Sequence, residues 1–256
     1  MINLKDYSKI IYIWAIALLI AAFFVANVEI GPETSIISVI FIISLAIPSF
    51  AAVVMWLGWR KGLALIAVLS AYALVLETLA ILTGIPYSEF YYNELIGTKI
   101  FGTTPFTVPF AWLPLFIGSL YLASELKIKN EKLGLGSIIV LSTILVVITD
   151  LVLDPGAVAL QFWVWKEPGI FYDVPLMNFI GWVLTGFLAS LLAVGLLGSR
   201  VREKKPEALA SSLLLIMFFW SGICIYFNLI IPAFIGIGLI IFIIYSTKGR
   251  IGNFEI

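Results

Sequence analysis

Apolar residues run along this chain in blocks of about twenty, the length a helix needs to cross a bilayer, and the short stretches between them hold most of the charge. Eight blocks read as membrane spans: Ile10–Val28, Ile36–Leu57, Leu63–Leu82, Thr107–Ala123, Leu135–Leu153, Leu176–Leu197, Ala208–Phe227 and Ile230–Ser246. Only a turn around Asn228–Pro232 separates the last two. Seven spans, with one kinked final helix, is therefore the alternative. The first block follows Lys5 and Lys9 as a secretory signal would, yet it outruns the usual apolar core of a signal and no small-x-small site follows. It is expected to stay in place as an anchor.

Composition agrees with this pattern. Hydrophobic residues make up 62% of the chain and charged residues 12%, against roughly 25% charged in soluble domains. The expected fold is an all-α polytopic bundle, a single integral membrane domain over residues 1–256. Formal net charge is zero, which argues against a nucleic-acid partner. Membrane lipid is the expected surrounding; oligomeric state is not readable. Lysine and arginine alternate sharply from one connection to the next. Lys5, Lys9, Arg60, Lys61, Lys127, Lys129, Lys132, Arg200, Arg202, Lys204, Lys205, Lys248 and Arg250 fall on one side of an eight-span chain, and only Lys99 and Lys166 on the other. The excess of positive charge on cytoplasmic loops predicts that both termini are cytoplasmic, in a multi-pass protein of the cell membrane.

The opposite face carries two long aromatic connections, Thr83–Phe106 and Asp154–Pro175. Each follows an acid-bearing helix, ends in proline at the next helix entrance, where a missing N–H is tolerated, and precedes a tryptophan, Trp112 or Trp182. This is either a weak internal repeat or a common membrane pattern.

Candidate chemistry lies in the acids. Glu77, Asp150 and Asp154 sit within, or at the end of, apolar runs, and an ionisable group in hydrocarbon is costly enough to mark a functional site. Asp150 and Asp154 are four residues apart and share a helix face. Two carboxylates so close cannot both ionise comfortably, so one is expected to keep its proton and act as a donor. Pro155 should end the helix and leave Asp154 at its outer end, near water. Glu77 lies about 9 Å below the same end of its helix. Tyr87, Phe90, Tyr91, Tyr92 and Phe101 crowd the first outer connection, and Phe162, Trp163, Trp165, Phe171 and Tyr172 the second. Interfacial belts explain part of this density; the remainder suits a pocket for a long, flat, apolar ligand. Aromatic faces also stabilise a desolvated cation by about 2 kcal/mol.

Other chemistries are disfavoured. The chain has no histidine, the residue on which most zinc and haem sites depend and which di-iron membrane oxygenases need. No lysine lies inside a span to form a Schiff base with retinal, and no glycine-rich phosphate loop is present. No cofactor is expected. Cys224 is alone and reads as a small buried hydrophobe; Gly134, Gly136, Gly236 and Gly238 read as packing or turn residues.

The stretches ETLAILTG (Glu77–Gly84), VPFAW (Val108–Trp112), DLVLDPGAVALQFWVW (Asp150–Trp165) and VPLMNFIGW (Val174–Trp182) resemble the integral-membrane carotenoid biosynthesis proteins that include gamma-carotene and bisanhydrobacterioruberin hydratases. Phe162 stands where that pattern leads one to expect glycine. The resemblance implies addition of water to the terminal double bond of an acyclic carotenoid end group, a hydro-lyase reaction on a long polyene. In that reading Glu77 or Asp150 protonates the alkene and Asp154 orients and deprotonates the water. Tyr87, Tyr91, Tyr92, Trp112, Trp163, Trp165, Tyr172, Asn178 and Trp182 contact the substrate. The site would face the extracytoplasmic side and open laterally into the bilayer. Three rivals use the same features: an end-group cyclase, a proton-coupled transporter of a small hydrophobic solute, and a non-catalytic carotenoid-binding subunit.

Overall fold

The computed structural model describes residues 6–28, 31, 33, 35–128 and 131–256; Lys5 and Lys129, counted above among the basic residues of one side, lie outside them. Eight helices follow the eight apolar blocks: α1 Ser8–Asn27, α2 Ser35–Leu57, α3 Trp59–Thr83, α4 Val108–Glu125, α5 Leu135–Ala159, α6 Leu176–Leu197, α7 Ser211–Tyr226 and α8 Ile230–Ser246. Seven of these segments are long and apolar enough to cross a membrane, α7 with the 3-10 turn Glu207–Ala210 that precedes it; α8 is shorter. Its 17 residues reach about 26 Å, a little under the hydrocarbon core of about 30 Å.

α7 and α8 do not fuse. Asn228 takes a left-handed φ of 55°, a conformation asparagine tolerates better than most residues, and the chain reverses so that α8 packs back on α7. With an even number of spans the two termini meet on one face. Tyr7 donates its backbone N–H to the Gly252 carbonyl at 2.8 Å, and Gly252 donates to Ser8 Oγ at 2.9 Å.

α4 and α7 are the buried centre of the bundle, and α1, α2, α3, α6 and α8 present apolar faces outward. Ile10, Ile13, Ile16 and Ile20 of α1 and Phe234, Ile241 and Tyr245 of α8 are exposed, as expected where lipid replaces water as the solvent. Between helices, small residues allow close approach, as membrane packing requires. A Cβ added at Gly222 of α7 would lie 2.7 Å from the Ala22 Cβ of α1, and one at Gly118 of α4 would lie 2.5 Å from the Leu213 Cβ of α7. Gly236 also packs tightly, against Ser221, but Gly136 and Gly238 face open space. The expectation that all four sequence-noted glycines serve packing or turns fails for that pair.

Pro48 inside α2 shows how a broken ladder is repaired within the bundle. Proline disturbs the local i→i−4 bonds, and buried backbone groups need a protein partner where water is scarce. Ser49 N–H donates to Ser212 Oγ at 3.0 Å, Ser212 N–H donates to Ser49 Oγ at 3.2 Å, and Ser49 Oγ donates to the Leu209 carbonyl at 2.8 Å. One serine pair thus supplies both α2 and the unsatisfied first turn of α7.

Pro155 does not end α5, as the sequence suggested. The helix runs four residues further, to Ala159. Gly156 then lies so close to Trp220 of α7 that its Cβ would sit 2.9 Å from the indole, and Cys224 Sγ contacts the Val152 carbonyl at 3.3 Å. Packing of α5 on α7 supports the turn after Pro155, so the second connection begins at Leu160 and Asp154 lies inside the helix.

A leucine at position 222 must push α1 off α7. Gly222→Leu is expected to destabilise the bundle by about 1–3 kcal/mol, whereas Gly136→Ala should stay within about 0.5 kcal/mol of the parent or gain stability. Thermal unfolding of the two variants in detergent checks both.

Candidate functional site

The two outer connections, separated by two helices in sequence, pair with each other. Strands β1 (Phe90–Tyr92) and β6 (Trp163–Trp165) form an antiparallel ladder with Phe90 opposite Trp165, Tyr91 opposite Val164 and Tyr92 opposite Trp163. The ladder continues through Lys166 N–H to the Glu89 carbonyl and Asn93 N–H to the Phe162 carbonyl, both 3.0 Å. Between them in sequence lie the small pairings of β2 (Lys99–Ile100) with β3 (Thr104–Pro105) and of β4 (Lys127–Ile128) with β5 (Glu131–Lys132). Side chains alternate faces along a strand. The ladder therefore sends Phe90, Tyr92, Trp163 and Trp165 to one face, in ring contacts of 4.8 Å for Phe90–Trp165 and 5.6 Å for Tyr92–Trp163.

These four rings roof a cavity of about 210 Å3 set into the outer half of the bundle. Its walls are almost wholly apolar: Phe41, Ile42 and Leu45 of α2, Phe110, Trp112 and Leu115 of α4, Trp182 of α6, and Ile216, Phe219 and Trp220 of α7. Val25, near the outer end of α1, and Ile37 and Ser38, near the outer start of α2, complete one side. Trp112 stacks on Phe116 at 5.2 Å and meets Trp182 at 6.3 Å. The corresponding parts of the two helix–loop–helix units thus face each other: β1 on β6, and Trp112 against Trp182.

Carboxyls reach this cavity from opposite units. Glu77 of α3 lines it and accepts a hydrogen bond from the Tyr92 hydroxyl at 2.6 Å. Burial holds the Tyr92 phenol well above its ordinary pKa, and the neighbouring Glu77 charge adds to this, so Tyr92 remains an O–H donor. Asp154 of α5 also lines the cavity. Asn178 of α6 binds it: its side-chain NH2 group donates to Asp154 Oδ2 and, at 3.0 Å, to Asp150 Oδ2. No lysine or arginine is among the described residues lining the cavity.

Structure and sequence differ at several residues. Asp154 is 3% exposed, not solvated at an interface, because α5 continues past it beneath the aromatic roof. Asp150 is fully buried one turn below and does not line the cavity; its Oδ1 has no hydrogen-bond partner among the described residues. Tyr87, Tyr92, Trp112, Trp163, Trp165, Asn178 and Trp182 all line the cavity. Tyr91 does not: strand alternation turns it to the outer face, where it is 49% exposed. Nor does Tyr172, whose hydroxyl accepts the Ile231 N–H at 3.2 Å and so ties the second outer loop to the first turn of α8. The α2 and α7 wall was missed altogether. Those residues lie in uniformly apolar spans, and nothing in their sequence distinguishes a cavity face from a lipid face. Phe162, noted as unusual in sequence, also lines the cavity and packs edge-on against Trp220 at 6.0 Å.

Gly181 explains one part of the quoted motifs. A Cβ there would sit 2.5 Å from Tyr87 Cδ1 and 2.8 Å from the Pro86 carbonyl oxygen. Its absence lets the first outer loop seat directly on α6, with the Tyr87 hydroxyl donating to Thr185 Oγ1 at 3.0 Å.

Comparison with known proteins points the same way. Residues 33–243 match the family described as carotenoid biosynthesis protein. Bisanhydrobacterioruberin hydratase of Haloarcula japonica is 35% identical over 202 residues, which cover 76% of this chain and 68% of that protein. No solved structure gives a significant match. The matched stretch takes in every wall of the cavity except α1, and the chain belongs to the carotenoid biosynthesis protein family.

Proposed function

We propose that this chain is a carotenoid hydratase: it adds water across the terminal double bond of an acyclic carotenoid end group, without a cofactor. The observation that carries this reading is the pair of carboxyls, Glu77 of α3 and Asp154 of α5, that line one apolar, aromatic-walled cavity. The relative's activity supports it, since by name that protein hydrates a carotenoid.

Protonating an alkene needs a strong enough acid, and the resulting tertiary cation needs faces to stabilise it before water captures it. Asp150 and Asp154 are one turn apart, tied by a single amide group of Asn178, and two bare carboxylates in that position would repel strongly. The pair shares one proton in this reading, and Asp154, the member that lines the cavity, delivers it to the terminal alkene. The electrons of the π bond form the new C–H bond, and the cation develops at the branched carbon. Trp112, Trp163, Trp165 and Trp182 present their rings to the space where it forms, and desolvated cation–π contacts contribute about 2 kcal/mol each. Asp150 does not touch substrate; it supports Asp154 through Asn178. This changes the roles inferred from sequence, where Asp150 was a donor and Asp154 the base.

The substrate is far longer than the cavity, so only its end group enters. The side formed by Val25, Ile37 and Ser38 is the proposed entrance. α1 packs on α7, while α2 packs on α3, α4 and α7, so the outer halves of α1 and α2 flank a lateral route from the lipid. The charge distribution supports an extracytoplasmic position for the site and cytoplasmic termini.

Expression in a host that makes bisanhydrobacterioruberin or lycopene should yield a pigment heavier by one water per modified end. Asp154→Asn should lower its formation by about 10²–10⁴-fold with folded protein retained; a ring-closed product of unchanged mass would instead identify a cyclase. Orientation has a separate check. Cysteine at position 101, where Phe101 is 93% exposed on the outer connection, should react with a membrane-impermeant maleimide on intact cells, and cysteine at Lys204 only after permeabilisation. The reverse pattern would invert the topology.

A further inference from the structure

Behind Glu77 lies a second, much smaller cavity of about 10 Å3, lined by Tyr72, Ala73, Leu76, Glu77, Tyr87, Val108, Trp112 and Thr185. That is about the space of one water molecule. It shares Glu77, Tyr87, Val108 and Trp112 with the large cavity, so the two adjoin at these residues. Its lining is far more polar than that of the large cavity, with Tyr72, Tyr87, Thr185 and Glu77 among its eight residues.

The hydroxyl protons around it are already committed. Tyr72 donates to the Thr185 carbonyl at 2.6 Å, Tyr87 donates to Thr185 Oγ1 at 3.0 Å, and Thr185 Oγ1 donates to the Gly181 carbonyl at 3.0 Å. Burial holds the Tyr87 phenol well above its ordinary pKa, and the Glu77 charge raises it further, so it does not become a phenolate. Each of these oxygens therefore offers only lone pairs, and so does Glu77 as a carboxylate. A water molecule among them must donate both of its hydrogens, one to Glu77 and one to a tyrosine or threonine oxygen. None of these three hydroxyls is left to donate to the water's own lone pairs, which favours its action as a nucleophile.

We propose that this small polar cavity holds the water molecule that adds to the carotenoid cation, with Glu77 as the base that receives its proton and Tyr72, Tyr87 and Thr185 as the groups that position it. The proposal rests on the hydratase reading and specifies which carboxyl does what. The water oxygen forms the C–O bond with the tertiary cation, and the proton of the resulting oxonium passes to Glu77. Asp154 has given one proton and Glu77 has gained one, so the net change is the addition of water. The enzyme resets when a proton returns from Glu77 to Asp154 across the cavity they share. The same site separates hydration from ring closure: with the water in place, capture precedes attack by a second double bond.

The test uses purified full-length protein with lycopene or bisanhydrobacterioruberin in D2O, reading two products by mass spectrometry: hydrated pigment, and recovered alkene carrying deuterium at its end group. The second arises when the cation forms by deuteron transfer and then loses a proton instead of gaining water. Tyr72→Phe removes one acceptor from the water, and Ala73→Val fills the small cavity without touching a hydroxyl. Both should lower hydration about tenfold or more, the worth of one well-placed hydrogen bond, while deuterium exchange persists or rises. Asp154→Asn should lose both. Wild-type hydration in either cavity variant, or parallel loss of hydration and exchange, would overturn the water site while leaving the hydratase reading intact. A parent protein that neither hydrates nor exchanges either pigment would overturn the hydratase reading and the water site with it.

Discussion

A carboxyl group placed among apolar helices must find its hydrogen-bond partners inside the protein, and this bundle is arranged around meeting that demand twice. On one side Glu77 accepts the Tyr92 hydroxyl; on the other, Asn178 ties Asp150 to Asp154. Neither arrangement is local. Tyr92 comes from the first outer connection, fifteen residues beyond Glu77, and Asn178 comes from the helix after the one that carries its aspartates. The pairing of β1 with β6 holds Tyr92 over Glu77 and turns four aromatic rings inward, while packing of α6 on α5 brings Asn178 to the aspartates. The polar anchors and the apolar cavity therefore rest on two tertiary contacts that meet at one place.

That arrangement separates two functions that would interfere if mixed. An acid that donates a proton to an alkene works best when held away from water, and the attacking water needs a carboxylate beside it. Asp154 and Glu77 line one largely apolar, aromatic space, while Tyr72, Tyr87 and Thr185 gather with Glu77 at a second, smaller one. Most of the larger wall offers a cation ring faces and aliphatic groups. An enzyme that adds water to a hydrocarbon has to admit one water molecule to one point and exclude it elsewhere, and this division of polar and apolar lining provides for both.

Much of the bundle was legible in the chain. All eight spans were identified, two of them, Leu176–Leu197 and Ile230–Ser246, with the boundaries observed, because a run of about twenty apolar residues has few other solutions. The three acids and many of the rings also stand out in the chain, as polar or ring-bearing residues at membrane depth against an aliphatic background, and the structure gathers Glu77, Asp154 and most of those rings at one cavity. The misses share a cause. Pro155 read as a helix end because proline breaks a helix in isolation, but packing against Trp220 carries α5 past it, and that extension is what buries Asp154. Tyr91 was placed in the site because strand alternation within the loop was not read, and Tyr172 because an aromatic-rich loop does not say which rings fold inward. Residues Phe41, Phe219 and Trp220 were not singled out, since the choice between lipid-facing and cavity-facing positions is made by helix packing. The pairing of distant carboxyls with Tyr92 and Asn178 is likewise tertiary, and no spacing in the sequence encodes it.

The central claim is that two carboxyls lining one aromatic cavity add water to an alkene by proton transfer alone. Purified protein given its carotenoid in H2-18O, with oxygen excluded, tests this most directly. The account predicts a tertiary alcohol that carries the heavy isotope and forms equally well without O2. An alcohol whose oxygen is unlabelled, or whose formation stops when O2 is removed, would contradict it.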